Sequence, residues 1–219
     1  MSNALTALKE SLKKDLAMAN KTLPSTGGRT ISMKGKVFTL PNAAVIQGHL
    51  EAVILDYRNV NRLYPPYDPS NTVPPKCFAI NRIVDDMAPH PDAPEPQAAD
   101  CASCSNNEFG SAATGKGKAC RNGVRLAVVP VDATAKTPVW EMFIPPTALK
   151  HWTKYLSALI ATGMHPAQVV TKITFNPDVD YPQPVFGAMD KLDADRINEV
   201  LSLRQKAAEI VEAPMVKEE

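Results

Sequence analysis

The chain has 219 residues, 44% of them hydrophobic and 21% charged, with a formal charge of +1. That length suffices for one sizeable core, and the near-neutral balance excludes polyanion binding by global basicity, so any nucleic-acid site must come from segregated charge. No apolar run reaches the ~18 residues of a membrane span and the N-terminus lacks a signal-peptide core, which predicts a soluble, intracellular protein with no membrane partner.

The 20 prolines are about twice the usual share and favour loops and β structure over a helical bundle. Residues 1–50 and 101–150 are net basic, whereas 51–100 and 151–219 are net acidic. Either the fold gathers the basic quarters on one face, or the excesses are ordinary fluctuation.

Leu5, Leu8, Leu12 and Leu16 recur at helical spacing, which predicts an amphipathic helix over 3–20 ended by the TLPSTGG punctuation. From Thr30 the texture changes to strands, with a Lys34-Gly35-Lys36 turn and then a β-rich run through Val53, Ile54 and Leu55. A strand continuing through Tyr57 and Arg58 would leave those two near its exposed end. RLYPPYDPSNTVPPKCFAI is dominated by Pro and Tyr and predicts a surface wrap, not a helix or central strand. Residues 85–100 are acidic and Pro-rich and predict a mobile or extended loop. VRLAVVPV and TPVWEMFIPP read as two strands of a hairpin turning around Asp132–Lys136. A helix then runs from Pro146 and Thr147 to a stop at Gly163, HPAQVVTKITFNP forms a strand, and a last helix is capped by Asp193 or Asp195. Short strands with one inserted helix suit a small β-barrel better than a parallel sheet. The expected divisions are an N-terminal helix and linker (1–28), a barrel core (29–190) containing a tied loop (77–125), and a C-terminal helix with a short tail (191–219).

Three of the four cysteines fall in CASCSNNEFGSAATGKGKACRNGVR, residues 101–125. Reducing compartments do not sustain disulfides, so metal binding is the better use of these thiols. Cys101 and Cys104 have the C-x-x-C spacing with which one turn presents two sulfurs to a tetrahedral ion, and Cys120 adds a third. The fourth ligand of a structural zinc is Cys77 or, alternatively, His90. Buried reduced cysteines or a redox C-x-x-C are the competing readings, although no thioredoxin-like strand-to-helix context surrounds the pair. Asp100 stands where zinc deaminases place a proline before the C-x-x-C, and the chain is expected to be non-catalytic. Residues 105–119 are too polar and Gly-rich to be ordered by burial, so a metal would contribute their folding free energy directly.

Lys116, Lys118, Arg121 and Arg125 lie close together in this passage with no acid among them. They read either as a phosphate-binding track with salt-dependent affinity or as a solvated basic loop. Aromatic residues near basic ones favour the track, because exposed bases stack on such rings. Tyr64, Tyr67 and Phe109 are the candidate platforms, whereas Phe38 and Trp140 are better explained as core. Lys34, Lys36 and Arg58 complete the candidate phosphate contacts.

LEAVILDYRNVNRLYPPYDPSN, PPKCFAI, the cysteine block, VWEMFIPPTALKHWTKYL and HPAQVVTKITF, in that order, resemble a family of phage-encoded, zinc-containing single-stranded DNA-binding proteins. The likeness spans roughly residues 35–190, and the cysteine block is its most specific part. The resemblance implies an OB-like β-barrel, a structural zinc held by three cysteines and one histidine, and the covering of single strands in phage replication or recombination within the infected host cytoplasm. Self-association through the terminal helices and contacts with phage replication or recombination proteins are the expected partnerships. The rival reading is a phage adaptor that binds a host or phage protein, with zinc bracing its recognition loop.

Overall fold

The computed structural model describes residues 28–66 and 73–215; the expected helix over 3–20, and Tyr67, lie outside the described residues. The stretch Leu50–Leu63 contains neither Gly nor Pro, and nothing interrupts a strand of 14 residues, β3. One edge of β3 pairs with β5 (Arg121–Pro130) along most of its length. Its other edge is divided, residues 50–52 pairing with β7 (Val169–Phe175) and residues 59–63 with β4 (Cys77–Asn81). β6 (Trp140–Ile144) and β8 (Pro184–Lys191) complete a six-stranded antiparallel sheet ordered β6–β5–β3–β7–β8, with β4 branching from β3. A small ladder, β1 (Phe38–Thr39) with β2 (Val45–Ile46), stands apart from it.

The expected mainly β, α+β architecture is present, but the sheet does not close into an OB-like barrel. β6 and β8 end the strand path, and the outer edge of β6 is taken by the segment before β1 instead: Ile31 N–H donates to Glu141 O, and Glu141 N–H to Arg29 O.

Both faces of the sheet are covered. Helix α1 (Leu149–Ala161) places Trp152, Tyr155 and Leu159 on one face, over Ile54, Leu126, Met142 and Ile173. Pro146 opens the turn leading into α1, and Gly163, at φ +67, follows its end where the left-handed conformation suits glycine. Helices α2 (Ala194–Ser202) and α3 (Arg204–Glu212) cover the other face over Val53, Leu55, Ala127 and Val129. The predicted single final helix is split at Leu203, whose buried side chain is drawn into that core, and Asp193 is its N-cap, accepting from Arg196 N–H at 2.8 Å. A β-bulge at Leu55 shifts the β3–β5 register. Beyond it, Asp56, Arg58, Val60 and Arg62 lie on the α2–α3 face, while Tyr57, Asn59, Asn61 and Leu63 lie on the α1 face.

Three further expectations are corrected. The Pro- and Tyr-rich wrap contributes real strand at both ends, because Arg62 and Leu63 pair with Phe78 and Cys77. Residues 85–100 are an ordered strap rather than a mobile loop: Met87 and Ala93 are buried, His90 N–H donates to Phe78 O, and Glu95 N–H donates to Lys76 O. After the HPAQVVTKITFNP strand the sequence predicts only a Pro-rich return through Phe186, and that stretch is a full strand, β8. Among the described residues no helix is long and apolar enough to cross a membrane.

Candidate functional site

The strap and the cysteine loop dock on the α1 face at the end of β3. Backbone bonds hold them there: Cys101 N–H donates to Met87 O, Asn107 N–H to Cys104 O and Cys120 N–H to Asn106 O, each at 2.8 Å. Cys77, Cys101, Cys104 and Cys120 consequently border one cavity with about 20 Å³ open to the centre of a water-sized atom. A single small atom needs ~10–15 Å³ by that measure, so the space has room for one water-sized atom or ion. His90 is outside that wall. Its ring stacks on Phe78 with centroids 5.0 Å apart, and its Nδ1 accepts from Asp92 N–H at 3.1 Å.

The thiols feel one another. Burial first, then the neighbouring sulfurs of Cys101, Cys104 and Cys77, push the Cys120 thiol up to about 12. Burial also raises Cys101, opposed by a hydrogen bond from Asn61, with Cys77 and Cys104 adding to the rise. Among the described residues no three His, Cys, Asp or Glu side chains form a ready-made metal group. The backbone brings the four cysteines to one cavity, whereas the direction of each sulfur is set by χ1, which has three wells. Four thiols match zinc in number and kind, while the side chains as placed do not gather into a metal-holding group.

Next to the thiols runs a chain of asparagine amides. Lys118 Nζ donates to Asn107 Oδ1 at 3.2 Å, and Asn122 Nδ2 donates both to Asn107 Oδ1 at 2.9 Å and to Asn61 Oδ1 at 2.5 Å. Asn107 Nδ2 donates to Cys101 O at 2.7 Å, which closes the loop on itself, while Asn122 and Asn61 tie it to β5 and β3. Sequence reasoning passed over these amides, which carry no motif.

The candidate phosphate contacts divide. Arg58 is buried between Asp56 and Glu212, and Arg125 is buried against Glu141 and donates to Ala213 O at 2.5 Å. Both are corrected from surface contacts to internal ion pairs: the bulge turns Arg58 to the α2–α3 face, where the regular alternation of β5 through Val129 and Ala127 already places Arg125. Lys34 is exposed on the expected turn, and Lys36 Nζ donates to Asn176 O at 3.1 Å. Lys116 is exposed on the glycine-rich tip of the loop. Lys118 sits 5.4 Å from the ring centroid of Phe109, which is 84% exposed, and the exposed Arg121 lies 5.5 Å from the ring centroid of the half-buried Tyr64. Phe38 is fully buried in the core.

Arg62 is a further site residue that the sequence reading missed. It faces Arg121 directly across β3 and β5, 4.3 Å from the ring centroid of Phe143. Its Nε is buried without a hydrogen-bond partner, and neither Arg62 nor Arg121 joins an ion pair among the described residues. Burial above all lowers the pKa of Arg62; Tyr64 opposes this and Arg121 adds to it. Gly123 lets the strands approach here, since a Cβ would lie 2.5 Å from Ile144 O. The period-2 alternation from Val60 to Tyr64 was the available signal for Arg62.

The triplet His49-Leu50-Glu51 has the H-x-E form of zinc deaminases, but it starts β3 whereas Cys77 pairs with Leu63 at its other end. That separation is roughly 40 Å at the usual strand rise, so the two halves of such a centre do not meet. His49 pairs instead with Glu51 at 3.2 Å in solvent. No protein-family model, curated protein or solved structure matches this chain.

Proposed function

We propose that the protein binds single-stranded DNA without catalysing a reaction on it, as expected for a phage replication or recombination factor, and that Cys77, Cys101, Cys104 and Cys120 hold a structural zinc. The observation that supports the binding reading is the pair Arg62 and Arg121: two adjacent guanidinium groups that join no ion pair among the described residues, flanked by the rings of Phe143 and Tyr64. Two such cations repel, and a phosphate bound beside them would relieve that repulsion. Lys118 with Phe109, and Lys116, extend the same chemistry around the start of β5. Rings beside cations hold successive bases without reading their sequence, and this needs no closed barrel. Zinc in the cysteine cavity would replace thiol protons, removing the mutual cost of the sulfurs and fixing the loop that carries Lys116 and Lys118.

A second reading, docking of a partner protein on the same insertion, draws on the exposed apolar side chains of Ile83, Val84 and Phe109. Fluorescence anisotropy with labelled dT strands and matched duplex across a salt series separates the two. Contacts from Arg62, Lys116, Lys118 and Arg121 give a log–log salt slope of about −3 at ~0.7 per phosphate, with single strands bound more tightly than duplex. Absent or salt-independent binding refutes the single-strand reading.

A further inference from the structure

A second, larger recess of about 300 Å³ lies beside the cysteine cavity, walled by Asn59, Asn61, Asn107, Asn122 and Lys118 together with the apolar Leu149. The amide directions are fixed by their partners. Lys118 Nζ can only donate, so the Asn107 atom facing it is the oxygen; Asn122 must then present its nitrogen to that oxygen, which leaves Asn122 Oδ1 at the other end of the amide. Asn59 Nδ2 is likewise committed, donating to Arg82 O at 2.7 Å. Neither Asn122 Oδ1 nor Asn59 Oδ1 accepts a hydrogen bond within the described residues. Arg62 Nε is the buried side-chain N or O that lacks a partner there, so these two oxygens are open to solvent. The carboxylate of the exposed Asp85, also on this wall, is a third acceptor.

The open polar atoms of this recess are therefore mostly acceptors, and Asp85 offsets the charge of Lys118. Such a wall suits an uncharged, planar, donor-bearing group rather than a phosphate. Lys118 joins the recess to the candidate strand path, because the same ammonium lies by Phe109. We propose that this recess takes one base of a bound single strand and prefers bases with an exocyclic amino group, cytosine above thymine. The inference rests on the strand-binding reading given above. In the complex, Asn122 Oδ1 and Asn59 Oδ1 accept from the amino group, and Phe109 is placed to stack on a neighbouring base.

The test uses the full chain as purified and labelled homopolymers of 5-methyl-dC and dT, which share ring size and methyl group and differ in their hydrogen-bonding edge. The 5-methyl-dC strand is expected to bind about tenfold more tightly, the low end of what one well-seated base contact is worth. Abasic sites in that strand should remove the preference. Asn122→Ala removes the open acceptor, and Leu149→Trp fills the recess from α1 while leaving the amides intact. Both are expected to bring the ratio of 5-methyl-dC to dT affinity to one, and Leu149→Trp, which touches none of the basic strand contacts, is expected to leave dT binding unchanged. Equal affinity of the wild-type protein for the two strands, with salt-dependent binding intact, overturns the recess as a base site and leaves strand binding standing. A preference that survives in both folded variants also overturns it. Failure to bind either strand overturns this inference and the strand-binding reading together.

Discussion

Arg125 separates an internal role from a surface one most sharply. Its side chain is 5% exposed and that of Glu141 6%; Arg125 Nε donates to Glu141 and its Nη1 to the carbonyl of Ala213, where α3 ends. Arg125→Met keeps the aliphatic stem but strands a buried carboxylate and a carbonyl. Breaking one side of a buried pair costs about 3–5 kcal/mol, far above the ~0–1 kcal/mol of a solvated pair. With a urea m-value of about 2–3 kcal/mol/M, the unfolding midpoint read from Trp140 and Trp152 fluorescence falls by about 1–2 M. Arg125→Met/Glu141→Gln recovers a large part of that loss, because the uncompensated charge is gone. The single-strand salt slope of the folded Arg125→Met protein stays at the wild-type value. A midpoint change worth under about 1 kcal/mol, or a slope reduced by one phosphate contact, would refute the internal assignment.

Arg62→Ala and Arg121→Ala show the opposite pattern in the same titration, each lowering the salt slope by about 0.7. Arg121→Ala, at an exposed position, leaves the urea midpoint within about 0.5 kcal/mol of wild type. Elemental analysis is expected to find one zinc per chain, lost in Cys77→Ser and in Cys104→Ser and retained in His90→Ala; retention in Cys77→Ser with loss in His90→Ala would reverse the ligand choice. Chelation should lower Tm and loosen the loop, seen as faster proteolysis between residues 105 and 119. Burial, then Arg204, holds His165 below the ordinary histidine pKa of about 6.5, with Asp56 opposing and Arg82 adding. Neutral His165 accepts from Ala167 N–H at 3.1 Å, so its contribution is complete above pH ~6.5 and is lost as pH falls toward the depressed folded value. His165→Asn retains an acceptor that does not titrate and should flatten stability across that range; an unchanged pH profile would assign the dependence to another group.

Much of the fold was legible because it is local. Helix α1 follows from the spacing of Trp152, Tyr155 and Leu159 between Pro146 and Gly163, and β5 and β6 follow from apolar runs bounded by turn residues. The same local logic failed where pairing partners are distant. Cys77–Asn81 looks like part of a proline-rich wrap until β3 offers it a backbone ladder, and Pro184–Lys191 becomes a strand because β7 has an unpaired edge. The strap over 85–100 is ordered by single buried anchors, Met87 and Ala93, that composition averages away.

For the candidate site, sequence alone determined the set of thiols, since C-x-x-C places two sulfurs on one turn whatever surrounds it. It also determined the basic, glycine-rich loop between Cys104 and Cys120. Tertiary structure decided which of those signals share a space. It put Cys77 rather than His90 on the cavity wall because Leu63 pairs with Cys77, and it brought Asn61, Asn107 and Asn122 into one network. It also decided the fate of every arginine near the site. One extra residue at Leu55 changes which side of the sheet the following side chains occupy, sending Arg58 to the end of α3 and Arg62 to face Arg121. Strand alternation is a two-valued property, so a single bulge fixed by long-range pairing reverses it for the rest of the strand.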